Sequence, residues 1–142
     1  MSDVVVDASV AVKWFADELH GEKADELSSG AYRLFAPHII ITEVANALVR
    51  KSAVGLMTFE EARDLWHTLP SYFDDILSVD DMIESALRLA FNLRHPIYDL
   101  IYLETARRLD AQLITADRRF AAKLADTDLA RHVTLLSDWQ PE

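Results

Sequence analysis

Two short apolar runs that end in carboxylates constrain this chain more than any other feature. Val4-Val5-Val6 leads into Asp7, and Ala111 to Thr115 leads through Ala116 to Asp117. A β-branched run without polar alternation reads as a strand buried on both faces of a parallel sheet. Its carboxyl end then lies at the sheet edge where open α/β sheets place their chemistry. Asp7 also precedes a helix-like stretch, Ala8 to Phe15, so taken alone it reads first as a helix cap, with Ser9 a second candidate, and only the other acids of the chain shift that reading.

Between these runs, strand and helix signals alternate. Glu22 to Ser29 reads as a short polar helix closed by Gly30, and Arg33 to Ala36 as a strand before Pro37. From Ile39 to Lys51, Ile40, Val44, Ala47 and Leu48 recur at helical spacing, with Gly55 as the stop, so Glu43 and Asn46 share a face. Thr58 and Glu61 form a capping-box pattern ahead of the stripe Ala62, Leu65, Trp66 and Leu69. Ile76 to Val79 is a short strand candidate. Asp80 then opens an amphipathic helix whose Ile83, Leu87, Ala90 and Phe91 are expected to face the core, with Arg94 and His95 ending it before Pro96. The next helix, Tyr98 to Leu109, carries Asp99 in its first turn, where the helix dipole favours an acid. Val133 to Leu136 offers a last strand. The alternation predicts one domain over residues 1–142, a three-layer α/β/α arrangement on a mainly parallel sheet.

Composition removes several function classes. The 142 residues are 51% hydrophobic, enough for one sizeable core. With no cysteine, neither a disulfide framework nor thiol redox chemistry is open, and any metal must meet oxygen or imidazole. Met1-Ser2-Asp3 lacks the charge and apolar stretch of a signal peptide, and no run approaches a membrane span, so a soluble cytoplasmic protein is expected. A net charge of −10 argues against a broad phosphate-binding surface. It leaves room for a site where cations neutralise phosphate, and for a basic protein partner.

The expected edge gathers four acids: Asp7 and Asp117 after strands, Glu43 on a helix face and Asp99 in a first turn. Carboxylates crowded into one cleft repel each other unless protons or cations compensate. Mg2+ or Mn2+ suits an all-oxygen set, and such ions activate water against a phosphodiester.

The stretches VVVDASVAVKWF, ITEVANAL, IYDLIYLETA and LITADRRF, in this order along nearly the whole chain, resemble the PIN-domain nucleases, and within them the VapC toxins of toxin-antitoxin pairs. The resemblance implies a PIN fold and metal-dependent endoribonuclease activity. It implies catalytic and metal-binding roles for Asp7, Glu43, Asp99 and Asp117, with Asp7, Asp99 and Asp117 holding Mg2+ or Mn2+ and Glu43 orienting the attacking water. Ser9 and Thr115 take the supporting positions, beside Asn46 on the face of Glu43. The resemblance further implies a homodimer and a VapB-like antitoxin that places a basic residue in the acidic cleft.

Among the remaining candidates, Arg118 and Arg119 follow Asp117 and are set down as RNA-phosphate contacts, with surface solvation the commoner role for such a pair. Arg107 and Arg108 are expected to complement a helix C-terminus, and Lys13 and Arg50 carry no stronger signal. A lone His95 at a helix end reads as a polar surface residue. Trp14, Phe15, Tyr98 and Tyr102 read as core aromatics ahead of antitoxin or base contacts. Two other classes compete: a non-catalytic module that keeps the fold for binding, and a phosphoacceptor or phosphatase domain. The second lacks its pattern, since Asp7 is followed by Ala8 and Ser9 rather than by a second acid at the required spacing.

Overall fold

The structure, a computed structural model, describes residues 2–142. Five parallel strands, β1 (Ser2–Val6), β2 (Tyr32–Pro37), β3 (Asp75–Leu77), β4 (Gln112–Thr115) and β5 (Val133–Leu135), form one sheet in the order β3-β2-β1-β4-β5. Val4, Val5 and Val6 are all buried, as a central strand covered on both faces requires. The order reverses at β1, whose neighbours are β2 on one side and β4 on the other. Such a reversal opens a crevice beyond the carboxyl ends of the strands. In the register Val6↔Ile114, Asp7 and Thr115 both arrive there.

The described residues also form seven α-helices, α1 (Ala8–Ala11), α2 (Gly21–Leu27), α3 (Ile40–Ala53), α4 (Phe59–Thr68), α5 (Ile83–Leu93), α6 (Ile97–Leu109) and α7 (Arg118–Leu124). Helix α6 lies against β1, β2 and β4, with α5 packed on it, while α1 contacts β4 and α3, and α4 packs on α3. Residues Leu100 to Ala106 of α6 are buried without interruption, so this helix is enclosed on every side. Among the described residues no helix is long and apolar enough to cross a membrane.

Local chemistry accounts for the boundaries. Thr58 and Glu61 close the expected capping box on α4. Helix α3 ends where Gly55 turns left-handed at φ +79°, with Leu56 N–H on Lys51 O and Gly55 N–H on Ser52 O, the paired bonds of a Schellman stop. The Trp66 indole donates to Ile41 O at 2.9 Å and ties α4 to α3. Trp14 and Phe15 belong to the core: Trp14 stacks on Tyr72 at 4.3 Å and donates to Ala24 O.

Three expectations need correction. Helix α5 starts at Ile83 rather than Asp80, and it presents Ala86 and Ala90 to the core, preceded one turn earlier by Met82. Ile83 and Leu87 are exposed and Phe91 is 76% exposed. Small residues let α5 approach the enclosed α6 closely, which turns the larger side chains outward. The Thr105 hydroxyl, which donates to Ile101 O at 2.8 Å, lies 3.3 Å from the Met82 sulfur. Strand β3 runs from Asp75 to Leu77 rather than from Ile76 to Val79, because its register ends where Pro37 meets Leu77. Finally, β2 includes Pro37; at a strand end its missing N–H costs no ladder bond.

Candidate active site

Asp7 is buried, with 7% of the residue exposed, yet its carboxylate caps nothing: α1 starts after it without any side-chain cap bond. Its Oδ2 accepts instead from Ser9 Oγ at 2.5 Å and from Thr115 Oγ1 at 3.0 Å. Each hydroxyl in turn accepts a backbone N–H from the turn after β4, Ser9 from Ala116 at 3.0 Å and Thr115 from Asp117 at 3.1 Å. A hydroxyl has one proton to donate and lone pairs to accept with. The one proton of each hydroxyl is therefore committed to Asp7, and with no bond from its carboxylate to an α1 N–H the helix-cap alternative for Asp7 does not hold.

The other three acids are tethered by different donors. Tyr102 Oη donates to Glu43 Oε1 at 2.7 Å. His95 Nε2 lies 2.6 Å from Asp99 Oδ2. Phe120 N–H donates to Asp117 Oδ1 at 3.0 Å, so Asp117 does cap α7. The second oxygen of each acid makes no hydrogen bond among the described residues. No fully buried side-chain oxygen there lacks a partner either, so these four oxygens keep contact with solvent. All four acids line one cleft of about 550 Å3, together with Asn46 and Arg50.

Burial dominates the electrostatics. It pushes Asp7 up to about 7, opposed by the Ser9 and Thr115 hydroxyls and reinforced by the charges of Asp99 and Glu43. Burial also raises Asp99, against the bond from His95 and with the charge of Asp117. It raises Glu43, against the bond from Tyr102 and with the charge of Asp99. Tyr102 itself is pushed well above its ordinary value by burial and by Asp7 and Glu43, so its hydroxyl stays a donor. A set of oxygen donors that repel each other and retain one free oxygen apiece fits a hard divalent cation. Among the described residues, no three acid or histidine side chains already converge as a closed metal clasp. The fit therefore rests on donor chemistry.

The sequence reading placed Ser9, Thr115 and Asn46 at the site, and the structure puts all three beside the acids. His95, expected as a polar surface residue, instead has a side chain only 11% exposed that packs on Phe120 at 5.1 Å. The sequence reading passed over the Tyr102 hydroxyl, which no spacing rule reveals from a buried aromatic. Arg50 lines the cleft, while Arg118 and Arg119 are exposed outside it and Arg118 turns to Ser137 Oγ. Lys13 is occupied by Glu18 and Leu19 O. Arg107 pairs with Glu104 and Arg108 with Asp81. An apolar cavity of about 620 Å3 lies elsewhere, between α3 and α4, lined by Leu48, Val49, Phe59 and Trp66 among others.

Residues 4–124 match the family profile described as PIN domain. The chain is similar to Ribonuclease VapC3 of Pyrobaculum aerophilum, 30% identical over 84% of this chain and 93% of that protein. It is likewise similar to Ribonuclease VapC1 of Mycobacterium tuberculosis, 30% identical over 86% and 91%. The fold resembles the crystal structure of PAE2754 from Pyrobaculum aerophilum, with a TM-score of 0.72 at 24% identity over 96% of this chain and 85% of that one. It also resembles a toxin-antitoxin complex from Klebsiella pneumoniae, with a TM-score of 0.67 at 17% identity over 94% and 97%.

The raised Asp7 pKa carries a sign that thermal melts in chelator can check. Its folded value of about 7 exceeds its ordinary 3.8, so the folded state binds more protons between those limits. The stabilisation this group contributes is complete at low pH and declines as pH rises through that window. Asp7→Asn removes the titration. We expect the wild-type Tm to fall relative to Asp7→Asn between pH 5 and pH 8, with the variant at least as stable as wild type at pH 8. Parallel pH curves for the two proteins would contradict the buried-carboxylate assignment.

Proposed function

The chain belongs to the PIN domain family, and we propose that it is a single-domain ribonuclease toxin of a toxin-antitoxin pair that hydrolyses RNA phosphodiester bonds in the acidic cleft. The observation that carries this reading is the division of labour within each carboxylate: one oxygen held by a protein donor, the other free at the topological switch point of the sheet.

Asp7, Asp99 and Asp117 would hold Mg2+ or Mn2+ through their free oxygens. When bound, such a cation neutralises phosphate charge and lets water act as the nucleophile near neutral pH. Glu43, held at Oε1 by Tyr102, presents Oε2 to the attacking water and accepts its proton, a role that a carboxylate raised by burial performs better than an ordinary one. Arg50, on the face of α3 that carries Glu43 and Asn46, is placed to meet a backbone phosphate. Arg118 and Arg119, at the start of α7, would contact the strand outside the cleft. These roles suit a cytoplasmic enzyme acting on cellular RNA.

The test is cleavage of RNA by the purified chain with Mn2+ or Mg2+ and with excess EDTA. Cleavage requires the cation, and Asp99→Asn lowers it by more than about 100-fold, beyond the 10–100-fold typical of an outer-shell partner. Undiminished activity in EDTA would reject the mechanism.

For the antitoxin, helix α3 supplies two surfaces side by side. Val49 and Leu48 line the apolar groove against α4, and Asn46 and Arg50 line the acidic cleft. An antitoxin segment with an apolar helical face and a nearby basic residue would fill both, burying its hydrophobic side and pairing its cation with the acids. Val49→Asp should then release inhibition by the antitoxin while leaving RNA cleavage intact; unchanged inhibition would move the partner elsewhere.

A homodimer has a candidate seam in the exposed Ile83, Leu87 and Phe91 of α5, since contiguous apolar surface of this kind marks association sites. Light scattering should report a dimer for the wild-type chain and a monomer for Phe91→Asp. A dimer that survives the substitution would place the seam on another face.

A further inference from the structure

Asp99 occupies the third position of α6, the place from which an acid ordinarily reaches back to the N–H of the N-cap residue. Here the N-cap is Pro96, which has no N–H to offer. The reciprocal half of a capping box is therefore closed to Asp99, and its carboxylate would be free to rotate. The residue before the proline takes over: His95 Nε2 meets Asp99 Oδ2 at 2.6 Å.

The imidazole is itself held. Helix α5 stops at Leu93, Arg94 turns left-handed at φ +53°, and His95 N–H returns to Ala90 O at 3.1 Å. Lys123 of α7 donates to Arg94 O at 3.0 Å and pins the same corner from the other side. The His95 ring lies against Phe120, tilted by 32° at 5.1 Å. Phe120 is almost wholly buried, and its N–H is the donor to Asp117 Oδ1. One ring contact thus joins the tether of Asp99 to the tether of Asp117, although the two acids come from different helices.

We propose that His95 is a positioning residue for the nuclease reaction, a brace that fixes the Asp99 carboxylate through Nε2 and sets it against Asp117 through Phe120. The inference rests on the metal-dependent reading above. It concerns orientation: with Oδ2 held, Oδ1 is aimed into the cleft, and the ordering entropy of that carboxylate is met before a cation arrives.

Two substitutions separate the parts of the brace. His95→Phe keeps a ring against Phe120 and removes the donor; His95→Gln keeps a donor near the Nε2 position and removes the ring. Mn2+ affinity is read by calorimetry on the purified chain, with the Tm in chelator as a check of folding and RNA cleavage alongside. The expected result is a loss of Mn2+ affinity of about 10–100-fold for His95→Phe at a Tm close to wild type, with most of it recovered in His95→Gln. A His95→Phe protein that binds Mn2+ as tightly as wild type overturns the brace while leaving the nuclease reading untouched. So does a folded His95→Gln protein that binds as weakly as His95→Phe. A wild-type chain that binds no Mn2+ would overturn both.

Discussion

The structure depends on the two hydroxyls that donate their protons to the buried carboxylate of Asp7 and accept main-chain N–H groups behind it. An unpaired carboxylate taken from water is costly, and a buried acceptor must be met by donors of good geometry. Ser9 and Thr115 meet it, and they can do so only because β1 and β4 are neighbours in register and the turn after β4 supplies the Ala116 and Asp117 amides behind them. The central strand pair, the start of α1 and the turn into α7 are thereby joined at one oxygen atom. The compensation is incomplete, as the raised Asp7 pKa records. That residual cost is what a bound cation would relieve.

Each of the four acids is tethered by a different chemistry: hydroxyls, a phenol, an imidazole and a main-chain amide. The hydroxyls, the phenol and the main-chain amide are uncharged donors, so they do not neutralise the cleft. Lysine or arginine in the same places would form ion pairs and compete with a cation for the carboxylates. Neutral donors hold direction without cancelling charge, which is the property a cation site needs from its surroundings. Arg50 lines the same cleft without an ion pair to any acid among the described residues. A basic group can therefore stand beside the acids without occupying them.

Helix α3 connects this chemistry to recognition. Its buried stripe of Ile40, Val44 and Leu48 anchors it, and two flanking faces remain open, one polar over the cleft and one apolar against α4. A helix with a single stripe of core residues leaves both flanks available. A protein partner and a nucleic acid can thus address adjacent surfaces of one rigid element.

The sequence by itself determined the order of strands and helices, the parallel sheet and the four acids, because strand burial and helix periodicity are local patterns and the acids sit at element ends marked by them. The Thr58 capping box and the Gly55 stop were legible for the same reason: each is closed within a few residues. Only the tertiary structure decided which face of α5 is buried. Its large and small apolar residues share one arc of the helix, and the choice of Ala86 and Ala90 over Leu87 and Phe91 depends on how closely α6 approaches. Likewise, the roles of His95 and Tyr102 required the folded chain. A histidine beside a proline and an aromatic on a buried face are common in any sequence. What distinguishes them here is what each meets in the folded chain: His95 reaches Asp99 only four residues on, but its ring is set against Phe120 of α7, and Tyr102 meets Glu43 across 59 residues.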